Sequence, residues 1–381
     1  MSYIVWFSDP YPGDVRHLGG KNASLVTMTA AGMPVPPGFA VTADAYRRVF
    51  AESGLERRMA ELLDGLDVTD QAAVKVAGAA AREAVTGVPL PQWLTDEIVA
   101  AYDELAVRCS DPLVGVAVRS SATSEDQPDA SFAGEHDTYL WVRGHDSVID
   151  HVRRCWASLF TDRAITYRRE MGYADGTAAM SVGIQKMVTP RTAGVAFTLN
   201  PTNGDRSQVA IDASWGLGEA VVSGSVTPDN FLVDKVMGQV TSRTISPKHV
   251  EHRLGDDGRV VECDVEPERR DAACLSDEEI RAVAALARRA EKHYGCPQDV
   301  EWALDAQLPD GENVLLLQAR PETVWSRKPR TSPLNGVAKD TFRSIVATLL
   351  DGHHTQGVDA HHGHPHSVET TRDTDHPQSV G

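Results

Sequence analysis

Two segments near the end of the globular sequence, QDVEWAL (298–304) and NVLLLQAR (313–320), decide the fold. Apolar and polar side chains alternate in the first segment, and this period of two predicts a β-strand. Asp299 and Glu301 then lie on one face of that strand, away from its apolar side chains. The second segment predicts a partner strand on which Gln318 and Arg320 also share a face.

The turn signal Pro309-Asp310-Gly311 predicts how the two strands pair. An antiparallel hairpin centred on that turn places Glu301 opposite Gln318 and Asp299 opposite Arg320. Carboxylate and amide oxygens suit Mg²⁺, and a guanidinium can hold a phosphate through two parallel hydrogen bonds. A surface hairpin with one salt bridge would show the same spacing, so the spacing alone leaves both interpretations open.

A second candidate site is the stretch Gly19-Gly20-Lys21-Asn22, in which two glycines precede a lysine at the start of a helix predicted over 21–31. Unpaired backbone N–H groups and the positive end of a helix dipole favour anions at such a turn. A glycine turn with a solvated lysine is the alternative, and the motif is weak by itself.

The third candidate is residues 116–140, where Arg119 ends an apolar strand predicted over 113–122. A cation in that position needs an anion. The loop that follows is rich in small residues, which allow a backbone to approach phosphates closely. A long polar loop with Arg119 paired to Glu125 or Asp126 explains the pattern equally well.

Composition excludes several classes of function. The chain has 381 residues and a net charge of −17, which repels a nucleic-acid backbone but does not exclude ATP carried by Mg²⁺. We expect no membrane span and no secretory signal, because no long apolar run is present. The five cysteines are widely spaced and form no C-x-x-C pair, which favours thiols in a reducing cytoplasm.

The common nucleotide and hydrolase motifs are also missing. The sequence contains no G-x-x-x-x-G-K-[ST], G-x-G-x-x-G, H-E-x-x-H or G-x-S-x-G pattern. An ATP site in this chain would therefore have to be built without a P-loop or a dinucleotide-binding turn.

The order of predicted elements favours the α+β class. Helical patterns such as 44–64 and 277–293, the latter opened by a capping box at Ser276, mix with hairpin-like strands instead of alternating strictly. From Arg327 the character of the sequence changes: RKPRTSPLNG is a linker, 340–350 could form one short amphipathic helix, and 351–381 has almost no large apolar residues but seven of the fourteen histidines. We therefore expect 327–381 to be a linker and a His-rich tail that is disordered over 351–381, since that stretch cannot offset the entropy of ordering.

Taken together, nine segments in the same order resemble the N-terminal ATP-binding domain of the phosphoenolpyruvate synthase and pyruvate phosphate dikinase family, which rifampin phosphotransferases share. They extend from about residue 10 to 326. The segments include GGKNASL (19–25), VPPGFAVT (35–42), residues 116–140, CWASLFTDRAITYR (155–168), IQKMV (184–188), GVAFTLNP (194–201), residues 213–231, DVEWALD (299–305) and LLLQARPETVWS (315–326).

The resemblance implies an ATP-grasp fold, with a first lobe over 1–188, a second lobe over 189–326 and ATP between them. It also implies a role for each matching residue. Lys21 and Arg119 would contact phosphates, Gly134 and Thr138 would close over them, and Gln185 would lie beside the adenine. Glu301 and Gln318 would bind Mg²⁺ with possible help from Asp299, and Arg320 would hold the transferring phosphates.

The implied reaction converts ATP to AMP, with the β-phosphate passing to a histidine and the γ-phosphate released. Family members carry that histidine in a swivelling domain with a G-G-x-T-S-H context, and no Thr-Ser-His occurs in this sequence. We therefore expect a separate protein partner that carries the swivel domain. A non-catalytic ATP-binding regulatory module and a truncated remnant of a longer enzyme are the alternatives.

Overall fold

The computed structural model of this chain describes residues 2–11, 14–123, 138–172, 178–255 and 258–325. These residues belong to one compact unit, Met1–Lys328. The expected His-rich tail and Gly134 lie outside the described residues. Helices and two main antiparallel sheets account for the described part, so the predicted α+β class is confirmed.

The first sheet has five strands in the order β1-β2-β5-β3-β4. Residues such as Phe39, Val118 and Ile184 turn one face of this sheet toward six helices and form a shared apolar core with them. The strands are β1 (Ile4–Trp6), β2 (Gly38–Val41), β3 (Val116–Ala122), β4 (Thr138–Val142) and β5 (Met180–Lys186). The helices are α2 (Ala43–Ser53), α3 (Leu55–Leu63), α4 (Gln71–Gly87), α5 (Gln92–Arg108), α6 (His145–Ala157) and α7 (Asp162–Glu170).

The second sheet has six strands in the order β13-β12-β6-β7-β8-β9. Its core face carries Trp302, Ile211 and Phe231 and packs against one long helix. The strands are β6 (Pro190–Phe197), β7 (Gln208–Trp215), β8 (Asp229–Asp234), β9 (Val240–Thr244), β12 (Gln298–Asp305) and β13 (Val314–Pro321). That helix is α10 (Asp277–Tyr294), and Ser276 and Glu279 form the predicted capping box at its start.

The remaining elements are short, apart from the first helix of the chain. A separate hairpin is formed by β10 (Val250–Leu254) and β11 (Val260–Asp264), and two single-turn helices are α8 (Glu219–Val222) and α9 (Pro267–Arg270). The first helix, α1 (Val15–Ala30), begins earlier than the predicted residue 21. It is kinked at Gly19, whose φ of 66° is strained for residues other than glycine.

Two other predictions differ from the structure. The helix expected over 44–64 is split at Gly54, which adopts a left-handed φ of 74° and joins α2 to α3. Strand β2 was not predicted as a strand, because all four of its residues are buried and its sequence therefore lacks polar alternation. A strand buried on both faces gives no period-two signal.

The strands of the first sheet all precede residue 187, and those of the second all follow residue 189. The expected lobe boundary near residue 188 coincides with this change of sheet, although α1 also packs into the core of the second sheet through Leu25 and Met28. The division into lobes stays a prediction. Among the described helices, none combines the length and the apolar character that crossing a bilayer requires.

Candidate functional site

The hairpin of β12 and β13 has the predicted register over its first half. Glu301 lies opposite Gln318 and Asp299 lies opposite Arg320, as predicted from the alternation of side chains and the position of the turn. A bulge between Glu301 and Trp302 shifts the register by one residue beyond that point. The two strands are joined by residues 306–313, a longer connection than the tight turn that the sequence suggested.

The polar face of this hairpin is the face opposite the core of the second sheet. Val300 and Trp302 point into the core, so the alternating Asp299 and Glu301 point away from it. Asp299 is mostly buried, with only 16% of its side chain exposed, whereas Glu301 is 34% exposed. The structure therefore places two carboxylates side by side at different depths.

Asp299 is the most perturbed acid of this face. Its Oδ2 lies 3.4 Å from Nε of Arg320, while its Oδ1 is buried with no hydrogen-bond partner in the described structure. Burial is the main reason that the pKa of Asp299 rises to about 6, although Arg320 lowers it in part. A buried oxygen without a donor is the type of ligand atom that a cation can satisfy.

Arg119, on strand β3 of the first sheet, contacts this hairpin. One terminal nitrogen of Arg119 lies 3.9 Å from Oε2 of Glu301, and the same nitrogen donates to the carbonyl of Leu317 at 3.3 Å. Arg119 is only 15% exposed. A strand of the first sheet thus contributes a nearly buried cation beside the Glu301 carboxylate of the hairpin.

Thr138 and Gln185 lie on the same face of the first sheet as Arg119. Thr138 is directly opposite Arg119 on the neighbouring strand. Gln185 is opposite Ala117, two residues before Arg119, and the side chains of these positions project to one side of the sheet. Gln185 is buried, and its amide is 3.5 Å from the carbonyl of Pro36.

Lys21 reaches the same region from α1. Its Nζ lies 3.5 Å from the carbonyl oxygen of Ser120, the residue after Arg119. The helix is held there by the next residue, Asn22, whose backbone N–H donates to Ser121 Oγ and whose side-chain amide donates to Ser181 Oγ at 2.9 Å. The structure therefore brings Lys21 to the Arg119 strand and not to an opposite surface.

Sequence reasoning missed the supporting role of Asn22. It is buried, and its Oδ1 occupies the space where a Cβ at Gly183 would lie 2.3 Å away. The only signal was its position directly after Lys21 in the Gly-Gly-Lys-Asn stretch.

Asp212 was also missed. It lies in line with Glu301 across the second sheet, because Val195 is opposite both residues. Asn230 donates to Asp212 Oδ1 at 2.7 Å, and burial raises the pKa of the Asp212 carboxyl. No motif or spacing in the sequence indicates this residue.

The donor set of the hairpin fits Mg²⁺. Glu301 and Gln318 offer hard oxygens from adjacent strands, and the unpaired Oδ1 of Asp299 is close to them in the sheet. Within the described ranges no group of three or more His, Cys, Asp or Glu side chains is arranged to hold a metal ion. A magnesium ion held here would therefore complete its shell with phosphate and water oxygens, as this ion usually does.

Comparisons with known proteins show the family of this chain. A family model described as "Pyruvate phosphate dikinase, AMP/ATP-binding domain" matches residues 15–340. A probable phosphoenolpyruvate synthase from Staphylothermus marinus is 45% identical over 366 residues, which cover 90% of this chain and 44% of that protein. A phosphoenolpyruvate synthase from Neisseria meningitidis is 41% identical and is matched over 91% of this chain and 45% of its own length.

A third relative, a probable phosphoenolpyruvate synthase from Methanothermobacter thermautotrophicus, is 44% identical over 85% of this chain and 46% of its own length. The chain therefore spans less than half the length of these relatives. Among solved structures, D-alanyl-alanine synthetase A from Vibrio cholerae matches 65% of this chain and 54% of its own at 12% identity. The TM-score of 0.24 is too low to bear on fold or function.

Proposed function

This chain belongs to the family of pyruvate phosphate dikinase AMP/ATP-binding domains, and on that premise we propose that it binds Mg-ATP and transfers the β-phosphate to a histidine. The histidine would belong to a swivel domain on a separate protein. In the proposed reaction the histidine attacks the β-phosphorus and displaces AMP, and a water molecule then cleaves the β–γ bond, so that inorganic phosphate leaves and one phosphate stays on the histidine. The reaction is that of a phosphoenolpyruvate synthase-like phosphotransferase acting through its partner.

One observation supports this proposal above the others. Arg119 of the first sheet lies 3.9 Å from Glu301 of the second sheet, so cations and hard oxygens from two distant parts of the chain meet. Phosphoryl transfer depends mainly on positioning and on neutralising charge, with little covalent help from the protein. A site that combines cations with metal-binding oxygens can both position the phosphates and neutralise their charge.

The remaining roles are those that the family resemblance implies, and the positions of the described side chains support them. Lys21, Arg119 and Arg320 would bind the phosphate oxygens, and Gln185, buried farther along the same sheet face as Arg119, would lie beside the adenine. Thr138, opposite Arg119, would close over the phosphates together with Gly134. When bound, Mg²⁺ held by Glu301, Gln318 and Asp299 would neutralise the triphosphate and orient it.

The charges of this site are arranged in pairs of opposite sign. Arg119 faces Glu301 and Arg320 faces Asp299, so each proposed phosphate-binding arginine is beside a proposed metal-binding carboxylate. In the proposed complex Arg119 and Arg320 would hold phosphate oxygens, and Glu301 and Asp299 would hold Mg²⁺, which would neutralise part of the charge of the triphosphate. ATP without metal would leave two carboxylates facing the triphosphate, so we expect metal and nucleotide to bind together.

The transfer is tested by incubating the chain with β-³²P-labelled ATP, Mg²⁺ and a separately produced swivel domain of a phosphoenolpyruvate synthase. We expect label on the swivel histidine and stoichiometric AMP. Glu301→Ala and Arg320→Ala should each lower transfer by about 10²–10³-fold, as the loss of one preorganised charged group usually does. Glu312→Ala, an exposed acid on the loop of the same hairpin, is the matched control and should leave transfer unchanged.

Two outcomes would contradict parts of the proposal. Tight binding of Mg-ATP with no labelled histidine would indicate the non-catalytic regulatory module instead. Unchanged transfer in Glu301→Ala or Arg320→Ala would exclude the hairpin as the metal and phosphate site. All five cysteines are free, which supports the proposed location in the cytoplasm.

A further inference from the structure

Asp212 lies on the same face of the second sheet as the carboxylates of the β12–β13 hairpin, although we assign it no part in binding ATP or Mg²⁺. Its neighbours on β7, Ile211 and Ala213, point into the core, so Asp212 points to the opposite face. Val195 on β6 lies opposite Glu301 on one side and opposite Asp212 on the other. Two strand spacings, about 10 Å in all, therefore separate the backbones of Glu301 and Asp212.

The surroundings of Asp212 differ from those of the other two carboxylates on this face. Asp299 and Glu301 each have an arginine beside them. Asp212 makes no ion pair within the described ranges, and burial raises the pKa of its carboxyl. Because a half-buried carboxylate without a cation is costly, Asp212 is stabilised by any N–H donor that a ligand brings.

The carboxylate of Asp212 is held in place by strand β8. Asn230 donates to its Oδ1 at 2.7 Å, and no other group of the described residues donates to this carboxylate. Asn230 is fixed in turn because the preceding residue, Asp229, is fully buried, with its Oδ1 2.6 Å from Nζ of Lys248. Oδ2 of Asp229 accepts from the backbone N–H of Cys274 at 2.9 Å. Asp212 therefore has a fixed orientation and a second oxygen that a ligand can use.

The surface between Asp212 and the hairpin is apolar. Val195 and Phe197 on β6 are half-buried, and both point away from the core because Ala196 between them points into it. Phe197 lies opposite Asp299, so this surface adjoins the hairpin carboxylates directly. A flat ring can lie on such a surface with one edge toward Asp212 and the other toward the hairpin.

An imidazole ring fits this position better than a nucleotide phosphate does. A carboxylate repels phosphate oxygens, and Asp212 is two strands away from Glu301, to which we assign Mg²⁺. A neutral imidazole has an N–H on one nitrogen and a lone pair on the other, so a carboxylate that accepts the N–H decides which nitrogen is the nucleophile. The attacking nitrogen must come within about 3–3.5 Å of phosphorus, and a ring lying over Val195 would point that nitrogen toward phosphates at the hairpin.

From this geometry we propose that Asp212 is a further catalytic residue, which accepts the ring N–H of the swivel-domain histidine during transfer; this inference rests on the proposed function. The lone pair of the other ring nitrogen forms the bond to the β-phosphorus. The bond from that phosphorus to the oxygen bridging the α- and β-phosphates breaks, and AMP leaves with the electron pair. The ring becomes positively charged as the new bond forms, and the carboxylate of Asp212 balances that charge until the N–H proton passes to water.

The test compares the wild type with Asp212→Asn in single-turnover transfer of label from β-³²P-labelled ATP to the separately produced swivel domain. The amide keeps the shape of the side chain, and its oxygen can still accept from Asn230, but the negative charge is lost. At saturating Mg-ATP and swivel domain, the rate constant of transfer should fall by at least about 10²-fold. Calorimetry with Mg²⁺ and a non-hydrolysable ATP analogue, adenylyl imidodiphosphate, should show unchanged affinity, because Asp212 does not contact the nucleotide.

A matched control removes one carboxylate charge elsewhere. Asp264→Asn changes an exposed acid on β11, outside the second sheet, and should transfer label at the wild-type rate. If Asp212→Asn does not fold, Asp212→Ser replaces it in the same two measurements, since its hydroxyl can also accept from Asn230.

Two results overturn this inference alone. One is transfer at the wild-type rate by the Asp212 variant. The other is a loss of affinity for the ATP analogue in that variant, since Asp212 would then belong to the nucleotide site. If the wild type itself transfers no label to the swivel domain, the proposed function and this inference fail together.

Discussion

Replacing Asp299 by Asn should stabilise the protein in the absence of metal while impairing nucleotide binding. The carboxyl of Asp299 is mostly buried, its pKa rises to about 6, and its Oδ1 has no partner in the described structure. An amide keeps the shape and removes the charge. The native residue thus costs stability at neutral pH, which is expected of a group retained for a ligand.

The size of this stability cost and its dependence on pH follow from the pKa values of Asp299 in the folded and unfolded states. A rise from 3.8 to about 6 means that the folded state holds the proton more tightly than the unfolded state. Stability is therefore lost as pH rises through this interval. At 1.36 kcal/mol per pKa unit the loss reaches about 3 kcal/mol at pH 8 and about half of that at pH 5.

The assay is thermal unfolding of wild type and Asp299→Asn with a chelator present, at pH 5 and pH 8. For a chain with roughly 300 ordered residues, 3 kcal/mol corresponds to a rise in Tm of about 5 °C at pH 8, and the rise should be smaller at pH 5. Added Mg-ATP should raise the Tm of the wild type more than that of the variant. Asp310→Asn, at an exposed acid of the same hairpin loop, should show neither effect.

Two results would refute this reasoning. If Asp299→Asn is less stable than the wild type at pH 8 without metal, then the ion pair with Arg320 stabilises the fold by more than burial of the carboxylate destabilises it. Asp299 would then be a structural residue. If the rise in Tm of Asp299→Asn is equal at pH 5 and pH 8, then ionisation of the Asp299 carboxyl does not cause the rise.

Three further predictions concern the metal, a close packing contact and a buried ion pair. Removing Mg²⁺ with a chelator should weaken ATP binding at least about tenfold in calorimetry, since the hairpin carboxylates then repel the triphosphate; equal affinity would exclude them from the site. Gly183→Ala should lower the free energy of unfolding by about 1–3 kcal/mol in denaturant titration, because the new Cβ would lie 2.3 Å from the side-chain oxygen of Asn22. Gly87→Ala places its Cβ in open space and should leave the free energy of unfolding unchanged. Lys248→Met should lower the free energy of unfolding by about 3–5 kcal/mol, because it leaves the fully buried Asp229 without its cation. Chemical unfolding at neutral pH measures this loss of stability.

The register of the hairpin could be predicted because both of its signals are local. A period of two fixes which side chains share a face, and the Pro-Asp-Gly turn fixes the approximate centre of the hairpin. The bulge after Glu301 could not be predicted, since it depends on how the hairpin packs on the rest of the sheet. It leaves the polar half of the hairpin in register and shifts only the half beyond Glu301.

The meeting of Arg119 and Glu301 could not be predicted from spacing. The sequence showed a cation at the end of a strand and offered Glu125 or Asp126 as partners, which are close in the chain. The structure shows a partner on another sheet, Glu301, and Glu125 and Asp126 lie outside the described residues. A contact over such a separation has no local signature, so only the resemblance to a family connected the two residues before the structure did.

Helix α1 explains how residues from two sheets can form one site. Asn22 bonds Ser181 of the first sheet at 2.9 Å, and two residues later Ser24 donates to the carbonyl of Ala319 in the second sheet at 3.0 Å. Lys21, adjacent to Asn22, is therefore positioned by contacts to both sheets. Ala319 lies between Gln318 and Arg320, so the bond to Ser24 also fixes the strand that carries these two side chains. The early Gly-Gly-Lys turn and the late hairpin act at one place because a single helical turn is hydrogen-bonded to both sheets.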